Sequence, residues 1–154
     1  MNLKPLIILL AEDDFEDRIL VKEAFGENKL ANQLNMVEDG QELLDYLDRK
    51  GKFNDPVKYP IPDLILLDLN MPRKNGIEAL KEIKLSENKH IPVIVLTTSE
   101  AESDVVKSYK LGVSSYIVKP VSFEKMVEII GSFSEYWFQL VKLPPKNNLH
   151  LDKQ

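Results

Sequence analysis

Unbroken apolar runs, too short for core helices and separated by longer stretches of helical period, constrain this chain more than any other feature. Leu6-Ile7-Ile8-Leu9-Leu10, Leu64-Ile65-Leu66-Leu67 and Val93-Ile94-Val95-Leu96 carry no polar residue at either parity, and Tyr116-Ile117-Val118 is a shorter version. A strand that is apolar on both faces must be covered on both faces, which is the condition of a parallel sheet sandwiched between helices. Gln33 to Val37 is a fifth candidate, more polar and therefore suited to an edge.

The segments between the strands read as helices. Phe15 to Phe25 ends at Gly26, a candidate C-cap; Gly40 to Arg49 carries Leu43, Leu44 and Leu47; Gly76 to Leu85 carries Ile77, Leu80 and Ile83. Glu100 to Leu111 ends at Gly112. The last helix is expected to start after the N-cap residue Ser122, to present Phe123, Met126, Val127, Ile130, Phe133, Trp137, Leu140 and Val141 at helical spacing, and to stop at Pro144-Pro145. The alternation predicts an α/β fold, a flavodoxin-like (βα)5 doubly wound parallel sheet with right-handed crossovers and strand order 2-1-3-4-5. The domain is expected to span residues 1–141, with 142–154 as a C-terminal extension and the Pro-rich stretch from Lys50 to Pro62 as a surface insertion. At 154 residues with 44% apolar content, one domain of this size buries about two thirds of its unfolded surface.

Composition removes several classes of chemistry. The absence of cysteine excludes disulfides, thiolate catalysis and cysteine-ligated metals, and His90 and His150 are too few for a multi-histidine site. A net charge of −5 argues against nucleic acid or an anionic membrane as the main partner. No apolar run approaches the roughly 18 residues of a membrane span, and residues 1–5 do not open a signal peptide, so a cytoplasmic location is expected.

Ligands of open parallel sheets bind beyond the carboxyl ends of the strands. Glu12-Asp13-Asp14 follows the first strand, Asp68-Leu69-Asn70-Met71-Pro72 the third, Thr97-Thr98-Ser99 the fourth and Lys119-Pro120 the fifth. The predicted strand order brings these ends to one crevice. Carboxylates gathered there repel one another, and an oxygen-only donor set favours Mg²⁺. Metal, the Lys119 ammonium and the Thr97 hydroxyl together suit a phosphoryl group in transfer, with Asp68, at the end of the most central strand, as the carboxylate nucleophile.

The ordered set formed by Ala11-Glu12-Asp13-Asp14, Asp68-Leu69-Asn70-Met71-Pro72 with Gly76 beyond, Leu96-Thr97-Thr98-Ser99 and Tyr116-Ile117-Val118-Lys119-Pro120 resembles the receiver domain of two-component response regulators, over roughly residues 6–135. Leu96 to Ser99, Ser108-Tyr109-Lys110-Leu111-Gly112, the long loop before the third strand, and Trp137 followed by Val141-Lys142-Leu143-Pro144 are similar to the stand-alone receivers that serve cyanobacterial and bacterial phytochrome kinases. The resemblance implies that Asp68 accepts a phosphoryl group from a phosphohistidine on a sensor histidine kinase. It implies that Asp13, Asp68 and the Asn70 backbone carbonyl bind Mg²⁺ directly and that Glu12, where many receivers have Asp, acts through a metal-bound water. It further implies that Thr97 and Lys119 hold phosphoryl oxygens, that the Lys119–Pro120 bond is cis, and that Thr97 and Tyr116 switch the face of the fourth helix, fifth strand and fifth helix. Asn70 and Ser99 occupy positions that tune phosphoryl lifetime in the family.

Single residues also have plainer readings. Asp14 suits an N-cap, Met71, Phe133 and Trp137 suit packing, His90 a loop, and Arg73 and Lys74 solvent. An aspartyl-nucleophile phosphohydrolase commonly places a second acid two residues beyond the nucleophile, where this chain has Asn70. A flavin carrier needs a glycine- and hydroxyl-rich loop after the first strand, where Glu12-Asp13-Asp14 would repel phosphate. A phosphate-independent interaction module is the remaining alternative. No output domain is expected after the fold, so output falls to a non-covalent partner, a relay step or self-association; a homodimer is expected through the fourth helix, fifth strand and fifth helix or through the tail carrying Leu143, Leu149 and Leu151.

Overall fold

A computed structural model describes residues 6–28 and 32–140, with backbone alone for Asn32 and 138–140. Five parallel strands, β1 (Leu6–Ala11), β2 (Asn32–Val37), β3 (Leu64–Leu67), β4 (Val93–Thr97) and β5 (Ser115–Val118), pair in the order β2-β1-β3-β4-β5. The helices are α1 (Phe15–Glu27), α2 (Gly40–Leu47), α3 (Gly76–Lys84), α4 (Glu102–Lys110) and α5 (Phe123–Ser134), and a π-helical segment, Glu135–Leu140, prolongs α5. The topology is that of the flavodoxin-like fold expected from the sequence.

The unbroken apolar runs are explained by the two layers they serve. Along the central strands, Leu9, Ile65, Leu67, Val93 and Val95 pack towards Leu43 and Leu47 of α2 and Leu80 and Ile83 of α3. Their neighbours Ile8, Leu10, Leu64, Leu66, Ile94 and Leu96 pack towards Val21 and Phe25 of α1 and Met126 and Ile130 of α5. Every residue of β3 and β4 is buried. Complete burial of such side chains is worth about 1.5–3 kcal/mol each. β2 lies at one edge, as its polar residues predict.

The insertion before β3 is anchored by aromatic rings. Tyr46, Phe53 and Tyr59 meet pairwise with centroids 5.1–5.7 Å apart. The Tyr46 hydroxyl donates to the Pro60 carbonyl at 2.8 Å and accepts from Asn35 Nδ2 at 2.7 Å. Met71 and Phe133 are core residues, and Phe133 meets Phe25 edge-to-face at 6.1 Å.

Three expectations need correction. Gly26 lies inside α1, and the helix is capped by Asn28, in a right-handed conformation, whose side chain donates to the Ala24 carbonyl of the last turn at 2.9 Å and also ties α1 to α5 through the Val127 carbonyl at 3.2 Å. No described peptide bond is cis, so Lys119–Pro120 is trans, the isomer an X–Pro bond favours intrinsically by about 0.5–1 kcal/mol. The α5 helix gives way to π-helical geometry at Glu135. The domain boundary at 141/142, the Pro144-Pro145 stop and the tail leucines lie outside the described residues. No helix among the described residues is long and apolar enough to cross a membrane.

Two glycines permit close backbone approaches around the β3–α3 loop. A Cβ on Gly76 would overlap the Asp68 carbonyl oxygen and stand 2.7 Å from Leu69 Cα, and one on Gly40 would overlap the Lys74 carbonyl, to which the Gly40 N–H donates at 2.9 Å. Backbone cannot move aside as a flexible side chain can. Gly76→Ala is therefore expected to lower stability by about 1–3 kcal/mol, the usual cost of overpacking, read as a reduced urea midpoint with an unchanged m-value.

Candidate functional site

The site is built at the carboxyl ends of β1, β3, β4 and β5, which the strand order sets side by side. Asp68 leaves β3 with its N–H donating to the Ala11 carbonyl of β1 at 3.0 Å. Its Oδ1 accepts from the Thr97 hydroxyl at 2.7 Å and from the Asn70 N–H at 3.3 Å. Thr97 is fully buried at the end of β4, so this hydroxyl bond is shielded from water. Asn70 itself is exposed and meets Asp68 through its backbone.

Glu12, Asp13 and Asp68 each bring a carboxylate oxygen to within 4.8 Å of the other two. Glu12 and Asp68 are buried and Asp13 is exposed, which leaves a mouth open to solvent. The donor set is three hard oxygens without sulfur or imidazole, so it fits a small divalent cation that keeps several waters. Lys119, with a side chain 8% exposed, places Nζ against all the inner acids. It pairs with Glu12 Oε1, with Asp17 Oδ2 at 2.8 Å and with Asp68 Oδ2 at 3.4 Å.

The electrostatics follow from this crowding. Burial, together with the charge of Asp68, outweighs the pairing with Lys119 and raises the Glu12 carboxyl to about 8. For Lys119, burial alone would push the ammonium down, but hydrogen bonds to Asp17 and Glu12 and the charges of Asp68 and Glu12 prevail and raise it. The ammonium is fixed and positive at neutral pH, while the surplus negative charge around it is relieved by a proton on the acids.

Glu12, Asp13, Asp68, Thr97 and Lys119 thus meet as the sequence predicts. Tyr116 is not in the acidic cluster. It is half-buried and donates its hydroxyl to the Ser99 carbonyl at 2.9 Å, while the Ser99 N–H reaches Thr97 Oγ1 at 3.5 Å. Tyr116 is therefore one loop removed from Asp68, with Thr97 and Ser99 between. Arg73 lies at the rim in a left-handed backbone conformation (φ 63°), not simply solvated, and pairs with Asp39 at 3.3 Å, while Lys74 pairs with Glu82.

Two residues at the site escape the sequence reading. Asp17 is the third partner of Lys119, and Arg18 donates to the carbonyls of Glu12 and Asp13 at 2.9 Å each. Helical spacing signals neither: Asp17 pairs with a residue far along the chain, and Arg18 reaches carbonyls five and six residues before it. Asp14 is the N-cap of α1, its Oδ1 accepting from the N–H groups of Glu16 at 2.8 Å and Asp17 at 3.1 Å.

Comparison with known proteins agrees with this geometry. Residues 8–131 match the response regulator receiver domain. The chain is 38% identical over 141 residues to response regulator Rcp1 of Synechocystis sp., covering 91% of this chain and 94% of that protein. The crystal structure of the phosphorylated cyanobacterial phytochrome response regulator RcpA superposes with a TM-score of 0.84 at 38% identity, covering 92% of this chain and 99% of that one. The Mn²⁺-bound form of Rcp1 superposes with a TM-score of 0.82 at 38% identity, covering 92% of this chain and all of that one, 100%.

Burial and the charge of Asp68 favour a proton on Glu12, and a cation at these carboxylates opposes it. Affinity for Mn²⁺ or Mg²⁺, measured by calorimetry, is expected to rise up to about tenfold per unit as pH approaches 8 from below and to level off above it, with about one proton released per metal bound at pH 7. The apo fold carries the opposite sign. A carboxyl raised above its unfolded value of 4.5 contributes stability below that value and loses it as pH rises through about 8.

Proposed function

The chain belongs to the response regulator receiver family, and from that premise we propose that it takes a phosphoryl group from a sensor histidine kinase onto Asp68. The observation that supports this most directly is the Asp68 carboxylate itself, with one oxygen bonded to a buried Thr97 hydroxyl and the other facing the Lys119 ammonium at 3.4 Å. An Asp68 oxygen attacks phosphorus, the P–N bond to the kinase histidine breaks, the imidazole leaves with its electron pair, and a mixed acyl phosphate remains. Asp13 and Asp68, with the Asn70 carbonyl and with Glu12 through water, are the groups to hold Mg²⁺, which when bound offsets negative charge on the phosphoryl oxygens. Lys119 pairs with one of those oxygens and Thr97 donates to another. The chain is on this reading a signalling phosphoacceptor, not an enzyme acting on a separate substrate, and it works in the cytoplasm.

The switch runs through Thr97. Turning its hydroxyl from Asp68 Oδ1 to the phosphoryl group pulls on the Thr97–Ser99 segment, whose Ser99 carbonyl holds Tyr116. Tyr116 stands on β5 between α4 and the core, and its N–H donates to the Tyr109 hydroxyl of α4 at 3.2 Å. The α4–β5–α5 face exposes Val106, Tyr109 and Val118, a surface suited to self-association. We take this face, or alternatively the C-terminal extension 142–154 that follows the receiver unit 1–141, for a homodimer interface. The likeness to Rcp1 and RcpA favours a phytochrome-type kinase as the donor, and the acidic charge favours protein partners without nucleic acid or membrane.

Asp68→Asn is expected to abolish uptake of label from a phosphohistidine kinase or a small acyl-phosphate donor, and full labelling of that variant would overturn the acceptor assignment. Lys119→Ala is expected to retain label but lose the change in sedimentation that an acyl-phosphate mimic induces in the parent chain. A monomer with and without the mimic, at concentrations well above micromolar, would refute the dimer.

A further inference from the structure

Arg18 is the least exposed arginine near the site, with 12% of its side chain accessible, yet it touches no acid of the metal cluster. Its Nη1 donates to the backbone carbonyls of both Glu12 and Asp13, at 2.9 Å each, and its Nη2 pairs with Glu38 Oε1 at 3.1 Å. The guanidinium also lies over the Phe15 ring, 5.7 Å from its centroid. One planar group therefore grips the two consecutive residues whose carboxylates face the cavity and ties them to the residue following β2.

The grip has a physical purpose. Glu12, Asp13 and Asp68 repel one another, and the β1–α1 turn that carries two of them is short. Left to itself the turn relaxes by rotating its peptide units and carrying Asp13, the exposed member, outward. One guanidinium nitrogen that holds both carbonyls, while the other is tied to Glu38, fixes those peptide planes. We infer that Arg18 is a positioning residue for the divalent cation: it holds the Glu12–Asp13 backbone so that the Asp13 carboxylate meets the metal preorganised beside Asp68. The inference rests on the metal-dependent reading above but concerns cation affinity, which can be measured without phosphorylation.

Position and plain charge make opposite demands here. Removing a cation close to three acids strengthens metal binding on Coulombic grounds alone, whereas loosening the turn weakens it. Mn²⁺ and Mg²⁺ dissociation constants of the full chain are measured by calorimetry and water-proton relaxation at fixed pH and low salt. Arg18→Met is expected to weaken both by about tenfold, the scale of outer-shell losses at metal sites. Arg18→Lys, which keeps the charge but cannot span two carbonyls and Glu38, is expected to weaken them several-fold; it decides the question if the Met variant does not fold. With Asp13→Asn as background, Arg18→Met is expected to add little, because the group it positions is gone. Unchanged or tighter binding in Arg18→Lys, or full additivity with Asp13→Asn, overturns the inference. Neither result would touch the Asp68 assignment, which stands or falls on labelling of Asp68→Asn.

Discussion

A single buried ammonium governs this structure. Lys119 sits among Glu12, Asp17 and Asp68, and its charge offsets much of the repulsion among three carboxylates brought together in a poorly solvated pocket. The balance is deliberately incomplete. One positive charge against three acids, with Asp13 beside them, leaves negative charge that a proton on Glu12 or a divalent cation can relieve. The receptive state of the site is thus a property of its residual imbalance, and a better-paired site would bind cations less readily.

Rigidity of the scaffold makes that imbalance possible. β1, β3 and β4 are packed on both faces, so their carboxyl ends cannot separate to ease the repulsion. The loops are also restrained. Gly76 lets the start of α3 close on the Asp68 backbone, Gly40 lets α2 close on Lys74, and Arg73 reaches Asp39 across the same gap. The acids are held from behind by backbone contacts while their carboxylates converge in front, which is how preorganised electrostatic sites are generally supported.

A chain of contacts leads away from the site along β4. Thr97 is fully buried and bonded to Asp68, and the chain runs on from it through Thr98 to Ser99. That segment carries the carbonyl that holds Tyr116, and Tyr116 lies on the less buried edge strand β5 beside α4. These contacts link β4, whose residues are all buried, to β5, whose residues are not.

The sequence by itself determined the layers, because unbroken apolar runs permit only a sheet covered on both sides, and its five βα units suit the strand order 2-1-3-4-5 that the structure shows. It placed Glu12, Asp13, Asp68, Thr97 and Lys119 at neighbouring strand ends for the same reason: a strand end is located by the residue at which apolarity stops. Asn28 as the α1 cap and the parts played by Asp17 and Arg18 were decided by tertiary structure. Each depends on a group from another element (Val127 for Asn28, Lys119 for Asp17) or on which way a carbonyl points, as for Arg18, and linear pattern carries neither distance nor direction.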